Sequence, residues 1–262
     1  MPVGVFDSGV GGLGVMNVLM RDFPYENFIY IADSRNFPYG TKSEQEIIKL
    51  SERIVRYLIS VGVKAIVVAC NTVSSVAIPY LQSVATDIPV FGMIQAGAEL
   101  ALKTTKNLKI GVISTPLTAK THAYRNEIHR LNENASVFEV GSQELVNLVE
   151  DGNSENKKAF LLAEEKLSDM LKKEVDTLIL GCTHFPFLYR VVRTVVGKNV
   201  NIVDPSYEVS AKLTEYFSKN NLYAKNRFSS RKFLTTGDKE AFLDKANIFL
   251  DIDIGEVARI DI

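Results

Sequence analysis

The 262-residue chain is poor in the side chains that most often carry chemistry, with two cysteines and three histidines. Neither C-x-x-C nor H-x-x-x-H spacing occurs, so no metal site is expected. Charge of one sign is also missing. Thirty basic residues stand against thirty-one acidic ones, for a net charge of -1. No overall field draws nucleic acid or a membrane surface, and neither is expected as a partner. No apolar run approaches the roughly 18 residues of a membrane-spanning helix. Val3-Gly4-Val5-Phe6 begins almost at once, without a charged segment leading into an apolar one, so export is not expected. Few cysteines and no export signal together predict a reducing compartment and free thiols, with a disulfide between the two as the alternative. No low-complexity linker interrupts the chain.

What is present reads as a globular α/β protein, 46% hydrophobic and 23% charged. Val3–Phe6 predicts a buried strand, Gly9–Gly14 a glycine-rich turn, and a helix follows to about Met20. Phe28–Ile31 predicts a second strand ending at Asp33, and Ser34–Lys42 an ordered loop containing Pro38-Tyr39-Gly40. Ser43 and Glu46 have capping-box spacing, and Ile47, Leu50, Ile54 and Leu58 continue a helix to about Ser60. Gly62 stops it. Strand Ala65–Val68, a helix over Val73–Val84 and strand Pro89–Gly92 follow. Strands alternating with helices of this length predict a mostly parallel sheet covered on both faces.

The pattern then repeats. Lys109–Ile113 resembles the first strand, and Gly111 lies 107 positions after Gly4. Val137–Val140 stands where the second strand should, and a helix over about Glu155–Lys173 leads to Thr177–Leu180. Val90 and Ile202 are 112 apart, as are Cys70 and Cys182. Two similar halves are therefore expected. The remainder has a helix near Val209–Phe217, a strand at Lys232–Thr235 and a helix from Asp238, and is expected to pack on the first half. The expected fold class is α/β, with two similar domains flanking a cleft that holds the active site. The first domain comprises 1–97 and 207–262, and the second 98–206.

The first turn invites a rival reading. Gly9-Val10-Gly11-Gly12-Leu13-Gly14 satisfies G-x-G-x-x-G, and Asp33 lies where a ribose-binding acid is wanted. An NAD-binding oxidoreductase using Gly9, Gly11 and Gly14 is therefore an alternative. Asp7 and Ser8 count against it, because a carboxylate at that turn repels a phosphate. They suit an ammonium ligand or proton handling better.

Both cysteines follow strands, in Ala69-Cys70-Asn71-Thr72 and Gly181-Cys182-Thr183-His184. If the carboxyl edges of two similar sheets face one cleft, the two thiols approach one ligand from opposite sides. One base on each face of a carbon is what stereoinversion by proton transfer needs. Helix N-termini after both thiols would favour thiolate. His184 is placed to tune Cys182, and Asp7 to do the same for Cys70. Such chemistry needs neither metal nor pyridoxal. Alternatives are two plain core cysteines or a Cys–His hydrolase using Cys182 with His122 or His129, which leaves Cys70 unexplained.

The chain resembles the glutamate racemases of the aspartate/glutamate racemase superfamily. The resemblance rests on Asp7-Ser8-Gly9-Val10-Gly11-Gly12, Pro38-Tyr39-Gly40, Ala69-Cys70-Asn71-Thr72 and Gly181-Cys182-Thr183-His184-Phe185-Pro186, in order over essentially the full chain. It implies that Cys70 exchanges the proton of D-glutamate and Cys182 that of L-glutamate. It also implies catalytic support from Asp7, His184 and Glu150, the last of these in the segment Leu145–Glu150. Asp7, Ser8, Pro38, Tyr39, Gly40, Asn71, Thr72, Thr183 and His184 are then the substrate contacts. Here Asn147 stands where the family commonly has proline. Also implied are a cytoplasmic homodimer with no cofactor, supplying D-glutamate for peptidoglycan, cell wall biogenesis and cell shape. Some members carry an activator-linked N-terminal extension, which is not expected of a chain starting two residues before its first strand. Outside glutamate racemisation stand a racemase of aspartate or another small amino acid and a catalytically silent binding or regulatory protein.

Overall fold

The structure, a computed structural model, describes residues 1–225, 228–250 and 254–262, without the side chain of Ile248. In chain order it begins β1 (Val3–Asp7), α1 (Leu13–Asp22), β2 (Phe28–Ala32), α2 (Glu44–Ser60), β3 (Ala65–Val68), α3 (Asn71–Val76), α4 (Ile78–Ala85) and β4 (Val90–Gly92). Helix α5 (Met93–Thr104) leads into β5 (Lys109–Ser114), α6 (Pro116–Lys120), α7 (Ala123–Leu131), β6 (Ser136–Gly141) and α8 (Gln143–Glu150). Then come α9 (Lys157–Leu171), β7 (Thr177–Gly181), α10 (Tyr189–Val196) and β8 (Asn201–Val203). The chain closes with α11 (Pro205–Asn220), β9 (Arg231–Thr235), α12 (Lys239–Phe249) and β10 (Val257–Arg259).

These strands form two sheets, ordered β10-β9-β2-β1-β3-β4 and β6-β5-β7-β8. Every pairing is parallel. The order β2-β1-β3-β4 reappears as β6-β5-β7-β8, so the repeat read from spacing is a repeat of fold. Gly4 and Gly111, the glycines that set the repeat, match in packing as well. A Cβ on the first would crowd Leu58 of α2, and one on the second Met170 of α9. Each lets a helix press close to the central strand of its sheet.

Helices on both sides explain the continuous apolar strands, since β1, β2, β3 and β7 are buried at every residue. In the first sheet Val3, Val5, Tyr30 and Val67 face α1 and α11, meeting Leu13, Met16, Leu213 and Phe217. Phe6, Ile31, Ile66 and Val68 face α2 and α4 and meet Ile47, Ile54, Leu58 and Leu81. The second sheet has equivalent layers against α9 and α10 on one side and α5 and α7 on the other. The C-terminal segment returns to the first sheet, where β9 pairs with β2 and β10 with β9. Among the described residues, no helix is long and apolar enough to cross a membrane.

Several elements differ from expectation for local reasons. The capping box at α2 is present, with Ser43 Oγ accepting from Glu46 N at 3.3 Å and Glu46 Oε2 accepting from Ser43 N at 3.1 Å. The single helix expected over Val73–Val84 is two, α3 and α4, separated at Ala77. Pro79 has no N–H for the carbonyl one turn back, and its ring presses on that turn, so the helix restarts with Pro79 near its beginning. α11 runs Pro205–Asn220 rather than Val209–Phe217, because Asp204 caps it by accepting from Ser206 N at 2.9 Å. α9 spans Lys157–Leu171, capped by Asn156, where Glu155–Lys173 was expected. After Cys182 there is no immediate α-helix. Phe185–Leu188 forms a short 3-10 turn containing Pro186, and α10 begins at Tyr189.

Candidate active site

The carboxyl edges of β3 and β7 face each other, and both thiols line one cavity between them. Ser8, Pro38, Tyr39, Gly40, Cys70, Asn71, Thr72, Cys182, Thr183 and His184 all border it. Asp7 and Glu150 stand behind this lining. The sequence reading missed Phe37, Thr115, Gln143 and Val146, which complete the wall. Only the position of Phe37, next to Pro38-Tyr39-Gly40, offered a local signal for any of these. Gln143 Oε1 is buried, with no hydrogen-bond partner among the described residues. The cavity measures about 20 Å³, on the scale of one water molecule. A groove of about 800 Å³ along Asn27–Ile29 and Arg231–Leu234 lies away from both thiols.

Asp7 explains the glycine-rich turn. It ends β1 inside the protein, and its Oδ2 accepts from the N–H groups of Gly9 at 3.1 Å and Gly12 at 3.0 Å. The donors that would cradle a phosphate therefore point at the chain's own carboxylate. Asp33, the expected ribose-binding acid, is buried and accepts from Thr236 Oγ1 at 2.6 Å, from Asn36 Nδ2 and from the Tyr39 hydroxyl. Its work is to hold the loop bearing Tyr39, whose Phe37-Pro38 bond is cis. The dinucleotide reading is displaced on both counts.

Gly11 is bare because the opposite sheet comes so close. A Cβ there would lie 2.5 Å from Thr183 Oγ1 and 2.7 Å from the His184 ring. Other contacts also span the cleft. Thr72 Oγ1 and Thr115 Oγ1 are 3.0 Å apart, and the Tyr124 hydroxyl donates to Asn71 Oδ1 at 2.6 Å. That bond commits the amide oxygen of Asn71, so its NH₂ group is what it offers a ligand.

The two thiols are free, buried and unequal. Cys70 caps α3, and its Sγ lies 3.9 Å from Ser8 Oγ. Burial pushes its pKa well above the ordinary thiol value and the Asp7 carboxylate adds to the rise, outweighing the Val73 N–H and the Ser8 hydroxyl. The N–H at the start of α3 does favour thiolate, as expected of a helix N-terminus, but it is outweighed, and Asp7 tunes this thiol towards keeping its proton. Burial also raises Asp7 itself, against His184 and the turn's N–H groups. Cys182 has a different neighbour, His184, whose Nδ1 lies 3.7 Å from the sulfur. His184 Nε2 is 2.6 Å from Glu150 Oε1, and Lys245 holds the other carboxylate oxygen. Burial alone would discharge this imidazole. Hydrogen bonds to Cys182 and Glu150 and their negative charge outweigh it and raise its pKa to about 10.

Glu150 is no solvated helix-end carboxylate, being only 9% exposed. Burial opposes its charge, but His184 and Lys245 together bring it below the usual carboxylate value. The histidines of the hydrolase alternative lie elsewhere. His122 Nδ1 pairs with Glu139 at 2.7 Å, and His129 Nε2 lies 3.0 Å from the Ala135 carbonyl.

Comparison with known proteins points the same way. Residues 19–209 match the family described as Asp/Glu/Hydantoin racemase. Glutamate racemase 1 of Caldanaerobacter subterraneus subsp. tengcongensis is 39% identical over 261 residues, covering 100% of this chain and 97% of the relative. Glutamate racemase isoform RacE1 from Bacillus anthracis superposes with a TM-score of 0.95 at 34% identity, over 99% of this chain and 97% of that one. The glutamate racemase of Francisella tularensis subsp. tularensis SCHU S4, solved in complex with D-glutamate, gives 0.94 at 35% identity over the same shares. With the match covering most of the chain and such relatives spanning nearly all of it, this chain belongs to the Asp/Glu/Hydantoin racemase family.

Proposed function

We propose that the protein interconverts L- and D-glutamate by two-base proton transfer between Cys70 and Cys182, without a cofactor. The observation that carries the proposal is that one cavity is walled by both thiols, each from the carboxyl edge of its own sheet. In the L-to-D direction Cys182 takes the α-proton as thiolate and Cys70 delivers one to the opposite face. The reverse direction exchanges their roles. His184 offsets the charge of the Cys182 thiolate. Cys70 is suited to start as a thiol, since burial and Asp7 both hold its proton. An ammonium group between Asp7 and Ser8 would stabilise the Cys70 thiolate when that sulfur becomes the base. The Asn71 NH₂ group and Thr72 and Thr183 supply donors for carboxylate. At about 20 Å³ the cavity has room for little more than a water molecule, so its walls must move apart to admit glutamate.

The relative solved with D-glutamate supports the substrate. The same reading assigns the protein to the cytoplasm and to D-glutamate supply for peptidoglycan, as a homodimer. It divides the chain into 1–97 with 207–262, and 98–206. Pairing of β9 with β2 supports grouping the C-terminal segment with the first sheet. The test is incubation of purified, reduced protein with each glutamate enantiomer in D₂O, with no cofactor added. Loss of optical activity with deuterium at the α-carbon is expected. Exchange of aspartate in place of glutamate would favour the aspartate racemase reading, and no exchange of either would end the enzymatic one.

A further inference from the structure

We propose that Lys245 is a positioning residue for the thiol of Cys182, acting through Glu150 and His184. The inference rests on the two-base reading above. It starts from a problem in the placement of Glu150. This carboxylate is mostly buried, and it is the last residue of α8, where the helix dipole is unfavourable to negative charge. It therefore needs cations. His184 Nε2 meets Oε1 at 2.6 Å, and the Lys245 ammonium meets Oε2.

The two cations are not equivalent. The imidazole also lies 3.7 Å from the sulfur of the reacting thiol, whereas the lysine ammonium is drawn to the carboxylate from the other side. With His184 alone, Glu150 would be left buried and unpaired whenever the imidazole became neutral, which is costly. That cost would pin His184 as an imidazolium. Lys245 lessens it: its charge works against the His184 proton, and it keeps Glu150 partnered and oriented.

Geometry adds a second consequence. Lys245 sits on α12, which packs with β10 and α1 on the first sheet's side. Glu150 sits on α8, beside the second sheet. Their ion pair therefore joins the two halves across the site, and parting the sheets would break it. Lys245 thus ties the readiness of Cys182 to closure. Among the described residues, other ionisable groups facing this chain include Asp7, which acts on His184 from β1, Tyr30 of β2, which feels the Glu150 charge, and Asp238, which caps α12 and lines the same 190 Å³ hollow as Glu150 and Lys245. At 42% exposed, the Lys245 side chain forms part of that hollow's wall.

The test compares Lys245→Met and Lys245→Arg in the full chain, measuring kcat and KM with both enantiomers, thermal stability, and His184 ring ¹⁵N shifts against pH. Lys245→Met should lower kcat about tenfold or more in both directions while moving KM by less than about threefold. Removing a nearby positive charge should also keep His184 charged to higher pH. Lys245→Arg should restore both the rate and the titration. Parental kcat and an unmoved His184 titration in the Met variant would overturn the proposal. So would equal losses in Met and Arg variants with lowered thermal stability, which is the mark of a purely structural contact. If the parent protein racemises no glutamate, the two-base reading fails by itself, and the His184 titration still decides the coupling to Lys245.

Discussion

Asp7, the last residue of β1, accepts a hydrogen bond from Thr183, beside Cys182 on the opposite sheet, at 3.4 Å between Oδ1 and Oγ1. The carboxylate that raises the pKa of Cys70 thus also touches the loop that carries the other thiol. The site is not two independent thiol–helper pairs facing each other. It is one closed network in which Asp7 reaches from the first half and Glu150 anchors the second.

Single removal of either thiol should therefore abolish turnover in both directions. Cys70→Ala and Cys182→Ala are expected to lose about 10²–10⁴-fold or more in kcat, the usual contribution of one positioned acid or base. Far-ultraviolet circular dichroism should be unchanged, since a missing sulfur at the wall of a small cavity disturbs no strand. Racemisation in either variant at the parental rate would sink the two-base scheme.

His184 makes stability depend on pH. Its folded pKa, about 10, lies above the ordinary 6.5, so the folded protein binds its proton more tightly than the unfolded chain. The stabilisation is fully present below about pH 6.5 and is lost as pH rises towards 10. Urea unfolding from pH 6 to 10 should show stability declining in that window, and less steeply in His184→Asn. Identical slopes in the two proteins would show that the imidazole is not held as a cation.

Much of this arrangement was legible in the sequence because it depends on short-range order. Strand, turn and helix alternate with a repeat near 110 residues, and two cysteines at matched strand ends identify the edges that meet. Legibility failed where distant segments decide the outcome. Lys245 sits 95 residues from Glu150, on a helix with no motif. Gln143 and Thr115 reach the cavity only because the two sheets face each other. The same holds for Asp33, whose spacing from the glycines suggested a ribose. Its partner Thr236 comes from a strand end more than two hundred residues away.

Far from the cavity, Lys64 and Glu26 form a buried ion pair at 2.5 Å, with side-chain exposures of 6% and 4%. Lys64 also donates to the Leu222 carbonyl, and Glu26 accepts from Ala224 N, so the pair fastens the segment after α11 to the first sheet. Lys64→Met leaves a buried carboxylate without its cation and should cost about 3–5 kcal/mol in urea unfolding. Glu26→Gln added to it should recover part of that loss. The kcat of the folded protein should be unchanged, and a silent Lys64→Met would mean the pair is open to water.

Gly11 and Gly14 belong to one glycine-rich stretch but should respond oppositely to alanine. At Gly11 the new methyl meets Thr183 Oγ1 at 2.5 Å and the His184 ring at 2.7 Å. The threonine hydroxyl can rotate, but the ring is buried and fixed by Glu150. The cleft must then stay slightly open, or His184 must leave Cys182. Either response should reduce kcat by about 10²-fold, since roughly 1 Å of misplacement suffices for that. At Gly14, inside α1, the methyl meets the tip of Phe187 at 3.5 Å, an ordinary contact. Gly14→Ala should keep full activity and gain up to about 1 kcal/mol from helix propensity. A phosphate-cradling turn predicts damage at both positions, because each glycine of that fingerprint has its own task. Equal loss of activity in the two variants would show that the turn, and not the close approach of His184 to Gly11, sets the requirement for glycine. Loss at Gly11 alone ties the turn to His184 and the thiol beside it.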